Sequence, residues 1–284
     1  MSHPPADNFR TTTIAERIAR AVPSGPAFAG IRRLVKPLFE RMLGGAGGAL
    51  RSVLPGGEVV RVAPRYRHIT WNEQEYAAFR AAVRPGDVVL EAGANVGAYT
   101  TLFARWAGAD GRVVAFEPDP LAFAGLQAHV ALNDLDARVT LVPSAIAGSG
   151  AGRLRFALFE SSGISRMATA SEPPGTVVCD VPATSIDAYC AEHDVRPTVI
   201  KIDVEGAELA ALAGARRTIC GAGARLRLFV EMHPRLWPAF GITAGDVRRE
   251  LDEQGLDAEH LDGGRDSLWT TEGVCLRLRP REPQ

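Results

Sequence analysis

The sequence predicts an α/β domain in which a mostly parallel sheet carries helices on both faces. Short runs that are apolar almost throughout alternate with segments of helical length, a pattern typical of parallel strands that are buried on both sides. One of these runs passes directly into a glycine-containing turn and a helix, in VVLEAGANVGAYT at residues 88–100. Ligands of such sheets bind at the carboxyl ends of the strands, so this turn is the first candidate site.

The alternation of helices and strands begins near residue 73. A helix is expected at 73–83, because Arg84-Pro85-Gly86-Asp87 then supplies a stop and a turn. Upstream, residues 57–70 predict one or two short strands. Further strands are predicted at 88–92, 112–116, 139–142, 198–202, 226–230, 258–261 and 274–278, and helices at 98–106, 120–132, 207–213 and 244–254. An insertion at about 149–183 interrupts the pattern, with a predicted hairpin at 153–159 and 177–181 around a polar loop.

Residues 1–56 are predicted to form an N-terminal helical extension and linker, ahead of a domain at 57–284. Apolar residues recur at helical spacing from Ile31 to Met42, with basic side chains between them. Pro37 is expected to kink or break this helix, and the glycine-rich stretch at 44–48 to end it. Packing on the domain is the simpler interpretation. The alternatives are a membrane surface or a second copy of the chain, which would give a homodimer.

Composition narrows the classes of partner and the cellular setting. The 284 residues include 32 basic and 33 acidic side chains, a balance that disfavours a nucleic-acid partner. The four cysteines have no close pairs, so neither a zinc site nor a redox motif is indicated. No apolar run is long enough for a transmembrane segment, and the N-terminus lacks the apolar core of a signal peptide. We therefore expect a cytoplasmic protein.

The turn from Glu91 to Gly97 favours one class of adenosine cofactor. A dinucleotide fingerprint, G-x-G-x-x-G, would require glycine where Asn95 and Ala98 stand. The remaining pattern, acid-x-Gly-x-Asn-x-Gly, suits S-adenosylmethionine, because its ammonium and sulfonium groups favour a nearby acid. Glu91 is predicted to hold the ammonium directly or through water, and Gly93 and Gly97 to leave room for the ligand. Asn95 is predicted to bond across the turn or to the cofactor carboxylate.

The next two strand ends extend the predicted cofactor site. The strand at 112–116 ends at Glu117, where an acid accepts hydrogen bonds from both ribose hydroxyls of an adenosine cofactor. The strand at 139–142 ends at Pro143-Ser144-Ala145. Ser144 is therefore predicted to border the adenine ring.

Several stretches together resemble the FkbM-type S-adenosylmethionine-dependent methyltransferases. They are LEAGANVGAYT, FEPDP, the Asn133 helix end before VTLVPSAIA, KIDVEGAE at 201–208 and FVEMHP at 229–234. The resemblance covers roughly residues 70–278 and implies a Rossmann-like class I methyltransferase sheet whose seventh strand is antiparallel. Members of that family mostly methylate hydroxyls of sugars and of polyketide or other secondary metabolites. The resemblance therefore implies an O-methyltransferase with a small-molecule or glycan acceptor.

Three polar residues, Asp203, Glu231 and His233, follow two buried strands and are predicted to share the cleft at the carboxyl ends. The resemblance implies that Asp203 faces the transferred methyl group. His233 titrates near neutrality and could take the proton of a hydroxyl. Asp203 and Glu231 could instead hold Mg²⁺, although two carboxylates are a thin shell, and base catalysis is favoured. Glu208 is expected on a helix surface or in a salt bridge, and Lys201 to have a buried stem and a paired amine.

Two other functions stay open from the sequence. An NAD(P)-dependent oxidoreductase would need G-x-G-x-x-G and a hydride-transfer pair such as Tyr and Lys, and neither is found. A non-catalytic module that binds S-adenosylmethionine and regulates a partner would show binding without turnover. The insertion at 149–183 is the natural element for acceptor binding, since its loop is polar and contains glycine.

Overall fold

The computed structural model describes residues 8–9, 49–150, 152–159, 165–169, 172–264, 269 and 273–281. The helix predicted at 31–42 and the glycine-rich join lie outside these ranges. In chain order the strands are β1 (Asn8–Phe9), β2 (Leu50–Val53), β3 (Val59–Val62), β4 (Trp71–Asn72), β5 (Val88–Ala92), β6 (Arg112–Phe116), β7 (Val139–Val142), β8 (Ala145–Ile146), β9 (Arg153–Leu158), β10 (Arg166–Met167), β11 (Val177–Thr184), β12 (Val199–Ile202), β13 (Arg227–Met232), β14 (Leu256–His260) and β15 (Val274–Pro280). The α-helices are α1 (Glu73–Ala82), α2 (Ala98–Trp106), α3 (Pro120–Leu132), α4 (Ile186–Glu192), α5 (Glu208–Ala213), α6 (Arg216–Ala222) and α7 (Ala244–Glu253).

Within the described residues, seven strands form one mixed sheet in the order β14-β15-β13-β12-β5-β6-β7. Strands β13, β12, β5, β6 and β7 are parallel, whereas β15 lies antiparallel between β13 and β14. The chain winds outward from β5 in both directions, first through β6 and later through β12. This is the seven-stranded, mostly parallel sheet that the sequence predicts, with an antiparallel last strand.

Helices cover both faces of this sheet. Successive strand residues point to opposite faces, so in β5 Val89 packs with Phe79 of α1 and Phe103 of α2, while Leu90 packs with Leu212 of α5. Helices α1–α3 therefore cover one face and α4–α7 the other, and the predicted two-faced covering is confirmed. In the described ranges, no helix has both the length and the apolar character needed to cross a membrane.

The register of the parallel strands aligns their carboxyl ends. The last residues paired between these parallel strands are Phe116 in β6, Ala92 in β5, Ile202 in β12 and Val230 in β13. The next residues along the chain are Glu117, Gly93, Asp203 and Glu231. Register alone therefore places four of the predicted site residues side by side along one edge of the sheet.

The insertion forms a separate small sheet in the order β10-β9-β11-β8. Strands β9 and β11 are antiparallel, and β8 joins the end of β11 in parallel. Phe156, Val181 and Ala145 belong to a core of its own. The hairpin predicted at 153–159 and 177–181 is confirmed, although β11 continues to Thr184.

Further features differ from the sequence prediction in their bounds or were not predicted. Strand β2 pairs with β3 in an antiparallel hairpin, so the predicted boundary between residues 56 and 57 falls within its turn. Helices α4 and α6, of seven residues each, are not predicted from the sequence. A usable indication was present at α4, where the Ser185 side chain caps the helix by accepting from the Ala188 N–H at 3.1 Å.

The ends of β5 and β12 approach each other closely at Gly93. Gly93 has a φ of +83°, and a Cβ placed on it would lie 1.7 Å from the carbonyl oxygen of Asp203. Both the left-handed backbone and the missing Cβ are therefore required at this position.

We expect Gly93→Ala to destabilise the fold by about 3 kcal/mol or more, because its methyl group would force the two strand ends apart. Gly86→Ala is the matched control, since Gly86 has a φ of +86° and its Cβ would meet nothing within 4 Å. The control should cost only about 1–2 kcal/mol, from the left-handed backbone. Urea unfolding measures both variants, and equal losses would contradict the close-approach argument.

Candidate active site

A cavity opens at the carboxyl edge of the sheet, between the turn after β5 and the insertion. Its lining consists of Gly93 and Asn95 after β5; Glu117, Pro118, Asp119 and Ala122 after β6; Ala145 and Ile146 of β8; Phe156, Ser165 and Met167 of the insertion; and Asp203, Val204, Glu205 and Ala207 after β12. The Ser165 hydroxyl donates to Asp119 Oδ2 at 2.5 Å. The insertion is thereby tied to the loop that follows β6.

The turn after β5 is held by short hydrogen bonds. Asn95 has a left-handed φ of +50°, and its Oδ1 accepts from the Val96 N–H at 2.7 Å. Gly97 begins α2 with a φ of +85°, and a Cβ there would lie 2.7 Å from Cδ1 of Leu126. Asn95 therefore stabilises the turn, and Gly97 lets α2 pack closely on α3.

Glu117 joins the loops after β5 and β6. One carboxylate oxygen accepts from the Asn95 N–H at 2.7 Å, and the other from the Asp119 N–H at 2.8 Å. Burial raises the pKa of Glu117 to about 7, and these two hydrogen bonds oppose the shift. Each oxygen has room for a second donor, so Glu117 can still receive hydroxyls from a ligand in the cavity.

Glu91 and Ser144 are not among the residues that line the cavity. Glu91 is buried beneath the turn, where its carboxylate accepts from the Thr100 hydroxyl at 2.5 Å. Burial raises its pKa to about 7, although Lys201 lowers it. Ser144 is also buried, and its hydroxyl contacts the carbonyl oxygen of Ala145. Glu91 therefore lies beside the turn but outside the cavity lining, and Ala145 rather than Ser144 lines the cavity.

Asp203, Glu231 and His233 lie together, with one ligand-type atom of each within 4.8 Å of the others. His233 Nε2 lies 3.7 Å from Glu231 Oε1 and 4.0 Å from Asp203 Oδ1. It also lies 3.3 Å from Oε2 of Glu205. Because Asp203 and Glu205 line the cavity, Nε2 is positioned just behind the cavity wall.

Lys201 is a buried cation that lies beside this cluster. Its side chain is 4% exposed, and Nζ donates to Asp203 Oδ2 at 2.9 Å. Burial opposes its charge, but Asp203 and Glu91 raise the pKa of Lys201 above its usual value. In return, Lys201 holds the pKa of Asp203 below its usual value against the effect of burial. The predicted buried stem and paired amine are confirmed.

Glu208 forms a salt bridge, as one of the two predicted alternatives has it, with Oε1 2.8 Å from Nδ1 of His233. It is fully buried rather than on a helix surface, because the first turn of α5 packs against His233 and Trp237. The sequence contains an indication of this burial. Glu208 shares a helix face with Ala211 and Leu212, at i+3 and i+4, and both are buried.

The protonation of His233 also differs from the prediction. Burial disfavours its charged form, but the hydrogen bond to Glu208 and the carboxylates of Asp203 and Glu205 raise the pKa of His233 to about 10. His233 is therefore an imidazolium at neutral pH, not a group that titrates near neutrality. Burial and Asp203 together raise the pKa of Glu231 well above its usual value.

Magnesium fits this donor set poorly. Mg²⁺ requires near-octahedral oxygen ligands at short distances, and one of the three grouped donors is the imidazole nitrogen of His233. Asp203 is already bonded to the ammonium of Lys201. The residues therefore do not support the predicted alternative of Mg²⁺ held by Asp203 and Glu231.

Comparison with known proteins assigns the chain to a family. A family model described as the Methyltransferase FkbM domain matches residues 91–257, more than half of the chain. The chain belongs to the FkbM methyltransferase family. A relative, the 31-O-demethyl-FK506 methyltransferase FkbM of Streptomyces tacrolimicus, is 39% identical over 74 residues. That match covers 26% of this chain and 28% of the relative, so the chain matches less than a third of its length.

Solved structures of related proteins are similar at low identity. Methyltransferase FkbM from Methylobacillus flagellatus KT has a TM-score of 0.42 and 19% identity, over 72% of this chain and 50% of its own. A SAM-dependent O-methyltransferase from Thermotoga maritima has a TM-score of 0.44 and 14% identity, over 88% and 83%. Both TM-scores lie below 0.5, so the family assignment rests on the sequence match.

We expect Lys201→Met to cost about 3–5 kcal/mol of stability, because Asp203 would be left without its cation. The loss should grow as pH rises above about 7. With Lys201 present, Glu91 ionises near pH 7; without it, the folded-state pKa of Glu91 rises further, and stability falls as pH increases toward that value.

Urea unfolding at pH 6 and pH 8.5 tests this expectation. The double variant Lys201→Met with Glu91→Gln is the control, since it removes the carboxyl group whose ionisation causes the pH dependence. Equal losses for Lys201→Met at the two pH values would show that Glu91 and Lys201 are not coupled.

Proposed function

We propose that the protein is an S-adenosylmethionine-dependent O-methyltransferase that acts on a hydroxyl of a small-molecule or glycan acceptor. The observation that carries this proposal is one continuous cavity lined by both Glu117 and Asp203. Its Gly93 and Glu117 side suits an adenosine cofactor, and its Asp203 side lies against His233. Membership of the FkbM family supports methyl transfer, and the Streptomyces relative, named for a 31-O-demethyl compound, supports oxygen as the acceptor atom.

The residues along the cavity fit the parts of this cofactor. Glu117 would accept from the ribose hydroxyls, as an acid after the second strand does in adenosine sites. Ala145 and Ile146 offer an apolar wall for the adenine. Asp203, ionised beside Lys201, would place negative charge near a sulfonium. Gly93 lines the cavity, although its missing Cβ makes room for the carbonyl oxygen of Asp203 rather than for the ligand.

When bound, the cofactor would supply an electrophilic methyl group on a good leaving group. Residues of the chain must then align the acceptor and remove the proton of its hydroxyl. A hydroxyl bonded to Asp203 would be within reach of His233 Nε2, 4.0 Å from Oδ1. Positive charge brought into the cavity disfavours the imidazolium, and so would lower the pKa of His233 and make it available as the base.

The insertion supports the same assignment of roles. Phe156, Ser165 and Met167 form a wall of the cavity, and these residues combine apolar surface with a hydroxyl. Such a wall suits a polar organic acceptor that lies beside the cofactor. The oxidoreductase alternative is disfavoured by the family assignment and by Asn95 and Ala98 at the fingerprint positions.

Calorimetry should show binding of S-adenosylmethionine and S-adenosylhomocysteine but not of NAD⁺ or NADP⁺. Glu117→Gln should weaken this binding about 10–100-fold, as expected for lost hydrogen bonds to a charged group. Ribose hydroxyls favour the ionised carboxylate, so affinity in the unaltered protein should fall as pH drops through about 7, the pKa of Glu117. Glu117→Gln should lack this dependence. Binding of a nicotinamide cofactor instead would overturn the proposal.

Transfer of a labelled methyl group to a panel of hydroxylated sugars and polyketides tests the reaction. His233→Gln should lower kcat about 10²–10⁴-fold, the usual contribution of a general base, with cofactor binding retained.

Treatment with EDTA should leave the rate unchanged, because the donor set suits Mg²⁺ poorly. If chelation abolished the activity and Mg²⁺ restored it, the reaction would require the metal. Cofactor binding with no turnover on any acceptor would favour the regulatory module.

A further inference from the structure

Glu208 is a buried acid at the active site that the proposed reaction does not yet use. Its side chain is fully buried at the start of α5. Oε1 accepts from the Gly206 N–H at 2.7 Å and lies 2.8 Å from His233 Nδ1. Oε2 accepts from the indole N–H of Trp237 at 2.7 Å. Three donors from three parts of the chain fix both the position and the plane of this carboxylate.

The loop before α5 is shaped to hold this arrangement. Gly206 has a φ of +96°, and a Cβ on it would lie 2.8 Å from Cβ of Leu236 and 2.9 Å from the ring of Phe240. The close packing of this main chain directs the Gly206 N–H to Glu208. Glu205, just before it, has a left-handed φ of +49° and places its carboxylate 3.3 Å from His233 Nε2. Such a conformation costs energy in a residue other than glycine and persists only where its surroundings enforce it.

Glu208 determines which way His233 faces. Because a carboxylate accepts, Nδ1 must carry the hydrogen, and Nε2 then points to the opposite side. On that side lie the carboxylates of Asp203, Glu205 and Glu231. Lys201 lies behind Asp203, and the carboxyl groups of Glu91 and Glu75 act on Lys201 in turn.

We propose that Glu208 is a positioning residue that acts through His233, holding its imidazole with Nδ1–H inward and Nε2 toward the acceptor end of the cavity. It also stabilises the imidazolium that forms when Nε2 takes the acceptor's proton, as a buried carboxylate does behind a catalytic histidine. His233 first loses the Nε2 proton of its resting imidazolium to solvent, as positive charge brought into the cavity lowers its pKa. The acceptor O–H bond then breaks and a new Nε2–H bond forms. The oxygen bonds to the methyl carbon, and the electron pair of the C–S bond stays on sulfur. This assignment rests on the proposed methyl transfer.

The first test is an NMR titration of His233 in the full chain without ligands. Glu208→Gln keeps the shape of the side chain but removes its negative charge, so the pKa of His233 should fall by more than one unit from about 10. An unchanged pKa would overturn the proposal. If Glu208→Gln does not fold, Glu208→Asp keeps the charge. The pKa should then stay raised while kcat falls, and unchanged kcat would overturn the proposal.

The second test is a double-mutant cycle on kcat with Glu208→Gln, His233→Gln and the combined variant. Glu208→Gln should lower kcat about 10²–10⁴-fold with little change in KM, and should have no further effect when His233 is already Gln. Independent losses in the combined variant would overturn the proposal. Glu250→Gln is the matched control, because Glu250 is equally a buried acid with a partner, Arg216, but lies on α7 away from the cavity lining.

The two tests separate failure of this proposal from failure of the proposed function. Full activity in His233→Gln would reject the base mechanism, while the titration would still report whether Glu208 controls the imidazole. Reduced activity in His233→Gln with normal activity in Glu208→Gln would keep the base and reject the positioning role.

Discussion

The pairing of β5 with β12 is the constraint on which the rest of the active site depends. The N–H of Asp203 donates to the carbonyl oxygen of Ala92 at 2.9 Å, and the next residue, Gly93, lies against the carbonyl oxygen of Asp203. The turn proposed to hold the cofactor and the carboxylate proposed to face the methyl group are thus built from neighbouring main-chain atoms. Small displacements at a reacting centre cost large factors in rate, and this shared backbone keeps the two parts in a fixed relation.

A second constraint is the balance of charge under the cavity. Several acids converge on Lys201 and His233, and they do not share one protonation state. Lys201 holds the pKa of Asp203 low, whereas burial and Asp203 raise the pKa of Glu231. Groups whose environments separate their pKa values are typical of sites that move protons.

Much of the fold follows from the sequence, because its central strands are apolar and its turns carry glycine and proline. Strand β5 and helix α2 begin and end at the predicted residues. The alignment of Asp203 and Glu231 also follows, since parallel strands present their carboxyl ends together. Strand β13 was predicted to end at Val230 but continues to Met232. Its pairing with β15 through Glu231 and Cys275 extends it, and local sequence does not encode that partner.

The partners of His233 could not be predicted in the same way. Glu208 lies 25 residues earlier in the chain, and only the packing of α5 against the end of β13 brings the two together. The raised pKa of His233 depends on carboxylates from the loop after β12 and from α5. A pattern of residue types indicates which groups are available at a strand end. It does not indicate how many charges surround each one, and that number decides the protonation state.

The insertion sheet has a hydrophobic core of its own, formed by Ala145, Phe156 and Val181 among others, apart from the two cores of the main sheet. It reaches the cofactor side through the contact between Ser165 and Asp119. Met167 faces the cavity from the insertion but belongs to none of the three cores, so it can change without altering the packing that holds Glu117 and Asp203 in place. If the insertion binds the acceptor as proposed, such a division allows a lineage to acquire new acceptors by substitutions in one small sheet, while the proposed cofactor site and proton-transfer groups are inherited intact.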